Sequence, residues 1–134
     1  MRYRLLDHTA DALIESYGET LSERFANAAY AMFDQITDAS AVRPIGEITI
    51  SIEADTNERL LVDFLQELLY LHDTQNLVFG EFDVKVRNGS LEAVARGEEF
   101  DQSRHQKRAV VKGVTYHGLN IDDDQRRIVV LLDV

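Results

Sequence analysis

The sequence predicts an α+β fold in which two main amphipathic helices pack against a largely antiparallel sheet, all within a single domain spanning residues 1–134, and three observations lead there. Short segments with apolar residues at every second position recur along the chain, the period of a half-buried strand. Two longer segments carry apolar residues at helical spacing behind start signals of the form Thr/Asp-x-x-Glu. The second half is a succession of strands with no helix between them, which favours antiparallel pairing over crossover connections.

In chain order, residues 3–6 and 12–17 read as two strands around a turn at His8 to Asp11, with Leu13, Glu15 and Tyr17 on one face and Ala12, Ile14 and Ser16 on the other. Thr20-Leu21-Ser22-Glu23 is a capping box, and Leu21, Phe25, Ala28, Ala29, Met32, Phe33 and Ile36 form the stripe of the helix behind it. After Pro44, Ile48, Ile50 and Ile52 alternate with Glu47, Thr49, Ser51 and Glu53 in a half-buried strand. Asp55-Thr56-Asn57-Glu58 offers a second capping box before a helix with Leu60, Leu61, Phe64, Leu65, Leu68 and Leu69 inward, ending near Thr74. Strands at 77–87 and 90–96 flank Asn88-Gly89, a dipeptide suited to a primed hairpin turn. Two more strands, 109–117 and 126–134, close the chain around Asp122-Asp123-Asp124, which reads as a solvated turn because it lacks the spacing of a calcium-binding loop.

Composition narrows the function classes. A hydrophobic fraction of 45% with 28% charged residues describes an ordered globular protein, large enough to bury about two-thirds of its unfolded surface. The net charge of −10 argues against tight autonomous binding to nucleic acid, whose phosphates demand clustered Lys and Arg. The single basic cluster, Arg104 to Arg108, reads as a solvated loop before a strand. Zero cysteines remove thiolate chemistry, and with no apolar leader or membrane-length segment the expectation is a cytoplasmic protein that does not engage membranes. The four histidines are scattered, so zinc is not expected and a structural hydrogen bond is the expected role of each, with His8 and His117 left open because each adjoins a dense polar motif. No phosphate-cradling glycine loop and no nucleophile elbow is present.

Two carboxylates stand where burial would exclude them, Asp11 after His8-Thr9-Ala10 and Asp133 after Leu131-Leu132. If the first and last strands are neighbours, Asp11, Asp133 and the main-chain carboxylate of Val134 converge, an oxygen-rich site for a hard divalent cation. Asp7 and Asp11 form an alternative acid/base pair.

His8-Thr9-Ala10-Asp11, Gly18-Glu19-Thr20-Leu21, Ala28 to Phe33, the leucine-rich second helix, Val111 to Leu119 and the terminal Asp133-Val134 occur in one order along essentially the whole chain. In these segments the chain resembles archease, the small protein cofactor of the GTP-dependent tRNA-splicing ligase. The resemblance implies an accessory protein and not an enzyme: an activator that promotes guanylylation of the ligase, sustains its turnover in tRNA exon joining and broadens its nucleotide use. It also implies a metal site, calcium foremost, at Asp11, Asp133 and Val134, and makes Lys112, His117 and His8 candidates for contacting the partner. Gly113, where the family more often has Ala, and Gly118, at a commonly polar position, are expected to loosen that strand. Two readings compete: a metal-dependent hydrolase using Asp11 and Asp133 with Lys112 or His117, and a chaperone-like binding module.

Overall fold

The computed structural model describes residues 1–6 and 11–134. The elements in order are β1 (Tyr3–Leu6), β2 (Ala12–Tyr17), α1 (Leu21–Ile36), a 3₁₀ turn (Ala39–Ala41), β3 (Gly46–Glu53), α2 (Asn57–Gln75), β4 (Leu77–Arg87), β5 (Ser90–Glu99), β6 (Gly113–Asp122) and β7 (Arg127–Asp133). The expected α+β architecture holds, but the strands divide into two antiparallel sheets: four strands in the order β1-β2-β7-β6 and three in the order β3-β5-β4. Each helix touches both sheets, α1 against β1, β2, β7 and β4, and α2 against β6 and all of β3, β4 and β5. That placement explains why α1 buries Arg24 and Ala31 beside its predicted stripe. A helix covered from two sides needs more than one apolar face.

Local chemistry sets the helix ends. The Thr20 hydroxyl accepts from the Glu23 amide at 3.1 Å, while the Glu23 carboxylate reaches back to the Glu19 amide at 3.0 Å. At α2 the cap is Thr56, which accepts from the Arg59 amide at 3.1 Å, and not the Asp55 of the expected box. Asn76 closes α2 in the left-handed region, with φ 58°. Within the core, Phe33 meets Phe79 edge-on at 5.4 Å and Phe82 at 6.0 Å, joining α1 to β4.

Two further expectations are corrected. The β4-β5 hairpin turns through Asn88-Gly89 with only Gly89 at positive φ (75°), the pattern of a type II turn and not of a primed one. The predicted strand at 109–117 starts only at Gly113, because the preceding segment is engaged elsewhere. The amides of Arg108 and Ala109 donate to the Ile36 and Gln35 carbonyls, satisfying the orphan end of α1, and the Thr37 hydroxyl donates to the Gln106 carbonyl. The basic cluster is an exposed loop before a strand, as expected, and its main chain also straps the helix end. Arg108 binds both the main chain and the carboxylate of Asp34.

Candidate functional site

The second strand, not the first, is the neighbour of the last. In the β2-β7 ladder Leu13 faces Leu131 and Ala12 faces Leu132. One residue beyond that last pair stand Asp133, the last residue of β7, which Gly113 of β6 pairs from the other side, and Asp11, a bend residue just before β2. Residues opposite one another in an antiparallel ladder share a face, with Cβ atoms about 5 Å apart. Ala12, Ile14, Leu132 and Val130 turn to the core, so the exposed Asp133 belongs to the face that points away from the helices, and Asp11 precedes the neighbouring strand at the same sheet end.

Further along that face lie Leu6, Leu13 and Leu131, and beyond them a charged row. Glu15, only 3% exposed, accepts from Tyr17 Oη at 2.5 Å, Arg4 Nε at 3.0 Å and Arg127 at 3.0 Å. The Tyr17 hydrogen bond, with Arg4 and Arg127, outweighs burial and holds the Glu15 carboxyl below its usual range. Burial and the Glu15 carboxylate raise the Tyr17 hydroxyl in turn. Those arginines are thus committed to Glu15, across the leucine row from Asp11 and Asp133. Among the described residues, neither aspartate forms an ion pair.

Of the other expected site residues, Lys112 is exposed just before β6 and its amide donates to the Asp133 carbonyl at 2.7 Å. Val134 is half-buried against the core. His117 is exposed where the β6-β7 register shifts between Thr115 and Asn120, with Gly118 at φ 70° completing the irregularity. Gly118 therefore shapes a bulge, and Gly113 faces open space that a Cβ would not fill with a clash. Asp7 and His8 lie outside the described residues. The structure thus joins the Lys112 main chain to Asp133, leaves Asp11 one residue before the β2 end of the same ladder, and places His117 farther along β6. Among the described residues no group of three or more His, Cys, Asp or Glu side chains is gathered as a metal site. The donors at this sheet end are two carboxylates and main-chain oxygen, a set that suits a hard cation and not zinc.

A second polar node escaped the sequence reading. Glu98, with its side chain 8% exposed, receives the Arg43 amide at 2.8 Å, the Arg43 guanidinium at 3.1 Å, His105 Nε2 at 2.9 Å and Arg104. Burial pushes its carboxyl up, but these donors prevail and hold it at about 2. His105 Nδ1 accepts from the Asp101 amide at 2.8 Å, which leaves the ring proton on Nε2 facing Glu98. His72 likewise bonds the Leu77 carbonyl at 2.8 Å, the structural role expected of an isolated histidine. The clue to Glu98 was the proximity of Arg104 and His105 to an acidic strand end, a signal that does not specify which carboxylate is met.

Comparison with known proteins follows the same lines. The chain is 44% identical over 120 residues to the protein archease of Pyrococcus furiosus, covering 87% of this chain and 84% of that one. It is 44% identical over 123 residues to that of Aeropyrum pernix, covering 88% and 85%. The solution structure of Methanobacterium thermoautotrophicum protein 1598 superimposes with a TM-score of 0.84 at 38% identity over 99% of each chain. A Thermotoga maritima crystal structure, described as an archease and possible chaperone, shares the fold with a TM-score of 0.64 at 18% identity over 98% of this chain and 96% of that one. The model of the archease protein family matches residues 3–134, and this chain belongs to that family.

Proposed function

We propose that this protein activates the GTP-dependent tRNA-splicing ligase, promoting ligase guanylylation and repeated turnover and widening its nucleotide use, without ligating RNA itself. The observation that supports the reading is the β2-β7 register, which ends at Ala12 and Leu132 with Asp11 and Asp133 each one residue beyond, Lys112 bonded to Asp133 alongside, and neither aspartate in an ion pair among the described residues. Asp11 and Asp133, with main-chain oxygen at Val134, would hold a divalent cation, calcium foremost. Bound there, the cation supplies positive charge that relieves carboxylate repulsion. The chain's own contribution is a rigid edge: β7 is held by β2 and β6 on either side, so the aspartates and Lys112 are presented to a partner with little freedom to lose. An activator acts by binding one state of its partner more tightly than another. The basic strap offers no comparable phosphate surface, since Arg104 and Arg108 are spent on Glu98 and Asp34.

The test mixes labelled GTP, an active cognate ligase and metal, with and without this protein. Faster formation of the covalent ligase-nucleotide adduct and multiple-turnover ligation are expected, both lost in Asp11→Ala. An unchanged adduct rate and unchanged turnover would refute the proposal. Hydrolysis of generic phosphoesters by the isolated protein would favour the hydrolase reading instead, and capture of many unrelated unfolded chains the chaperone-like one. Calorimetric titration of metal-stripped protein with calcium should show binding that Asp11→Ala and Asp133→Ala both weaken, whereas equal binding by all three proteins removes the cation from the account.

A further inference from the structure

The four sheet margins are not equally defended. β1 is four residues long, and β6 carries the bulge at Gly118. β4 is covered twice, by the Ser22 hydroxyl accepting from the Val86 amide at 2.9 Å and by the 3₁₀ turn, whose Ala39 carbonyl would lie 2.6 Å from a Cβ at Gly80. β3 is different. It runs eight residues at the margin of its sheet with no proline, lysine or bulge, and its only charges are Glu47 and Glu53 near its two ends, so what guards it is negative charge alone.

The hydrogen-bond phase of that margin follows from the hairpin. Arg87 and Ser90 flank a two-residue turn and so form a hydrogen-bonded pair, which commits the main chain of Ser90, Glu92, Val94 and Arg96 to β4. Leu91, Ala93, Ala95 and Gly97 then serve β3 through Ile52, Ile50, Ile48 and Gly46. The Ala54 amide, bonded to the Gly89 carbonyl at 3.1 Å, keeps the same phase. The amides and carbonyls of Glu47, Thr49, Ser51 and Glu53 therefore point outward, and among the described residues no hydrogen bond reaches them.

The side chains specify the occupant. On the solvent face the margin shows Glu47, 65% exposed beside Arg96, and Glu53, with Thr49 and Ser51 between them. On the inner face Ile48 and Ile52 remain half-buried, apolar surface that an added strand would cover. At the start of β3 an open groove of about 840 Å³ continues that surface, lined by Ile45, Leu77 and Phe100, with Glu99 and Asp101 at its border and its two arginines, Arg43 and Arg104, both paired with Glu98. A second copy fits poorly, because the antiparallel register that pairs the outward-pointing residues 47–53 with themselves sets Glu47 against Glu53 twice.

We propose that β3 is a docking edge for an extended segment of a partner protein in which Lys or Arg alternates with apolar residues, added as a fourth strand and anchored by an apolar side chain in the groove beside Ile45. This proposal stands apart from the ligase reading and concerns the opposite sheet. Two peptides matched to the length of β3 test it, one alternating Lys with Val and one alternating Glu with Val, followed by fluorescence anisotropy and by amide hydrogen exchange. The Lys-Val peptide should protect the amides of Glu47, Thr49, Ser51 and Glu53 and bind at least about tenfold more tightly than the Glu-Val peptide. Thr49→Pro removes one outward donor at a position where proline is tolerated, and should abolish binding while the protein stays folded. The double variant Glu47→Lys/Glu53→Lys should invert the peptide preference, and it decides the matter if Thr49→Pro unfolds. Protection confined to other strands, equal affinity for the two peptides, or protection of the same four amides by self-association alone would each overturn the proposal.

Discussion

Replacing Glu98 by Gln should flatten the acid limb of the stability curve. In the folded protein this carboxyl titrates at about 2 against an ordinary 4.5, because the Arg43 amide and guanidinium, Arg104 and His105 all donate to its ionised form. A depressed folded value means that the unfolded chain binds the proton more readily, so the contribution is complete above pH 4.5 and is lost as pH falls towards 2. The full difference corresponds to about 3 kcal/mol at 1.36 kcal/mol per pH unit, of which about 2 kcal/mol is gone by pH 3. The side chain is only 8% exposed, so solvent screening removes little of this. Urea unfolding followed by far-UV circular dichroism at pH 6, 4 and 3 measures it. Other carboxylates titrate over the same range in both proteins, so the quantity to follow is the gap between wild type and Glu98→Gln, which should shrink as the pH drops. Two curves that fall in parallel would show that the node contributes no pH-dependent stability and that the reasoning from its four donors is wrong.

Other expectations are simpler to check. Phe33→Ala empties the contact between α1 and β4 and should cost about 3–5 kcal/mol in chemical denaturation. Gly118→Ala forces an L residue to φ 70° and should cost about 1 kcal/mol, whereas Gly113→Ala, facing open space, should stay within about 0.5 kcal/mol of wild type. Lys112→Ala should leave the melting temperature nearly unchanged while lowering stimulation of ligation, since its side chain is exposed and forms no ion pair among the described residues; normal stimulation would remove Lys112 from the proposed contact surface.

What could be read from the sequence was whatever local chemistry decides. The alternation of Leu13, Glu15 and Tyr17 and the Thr20 cap located β2 and α1 closely, because strand period and orphan amides are properties of a few adjacent residues. The division into two sheets was not legible, since β2 and β3 carry the same kind of alternation yet choose partners far apart in the chain. The segment before β6 looked like strand for the same reason, and only the unsatisfied carbonyls of Gln35 and Ile36 explain why its amides went elsewhere. At the candidate site, Asp11 and Asp133 stood out because each breaks an apolar pattern. Glu15 and Glu98 did not, because Arg127 and Arg43 reach them from distant segments and the nearer Arg4 and Arg104 do not specify which carboxylate they meet.

The position of β7 bears on how the protein is made. It sits between β2 and β6, yet it is translated after every other element described. The hairpin of β4 and β5 and both helices leave the ribosome while β2 still lacks its neighbour, and pairing across so long a stretch of chain is intrinsically slow. Until β7 arrives, the margin of β2 opposite β1 waits unpaired, although α1 already covers its inner face at Ile14 and Ser16. The end that carries Asp11 and Asp133 is consequently the last region to be assembled, and a nascent chain cannot display it before synthesis has reached Asp133.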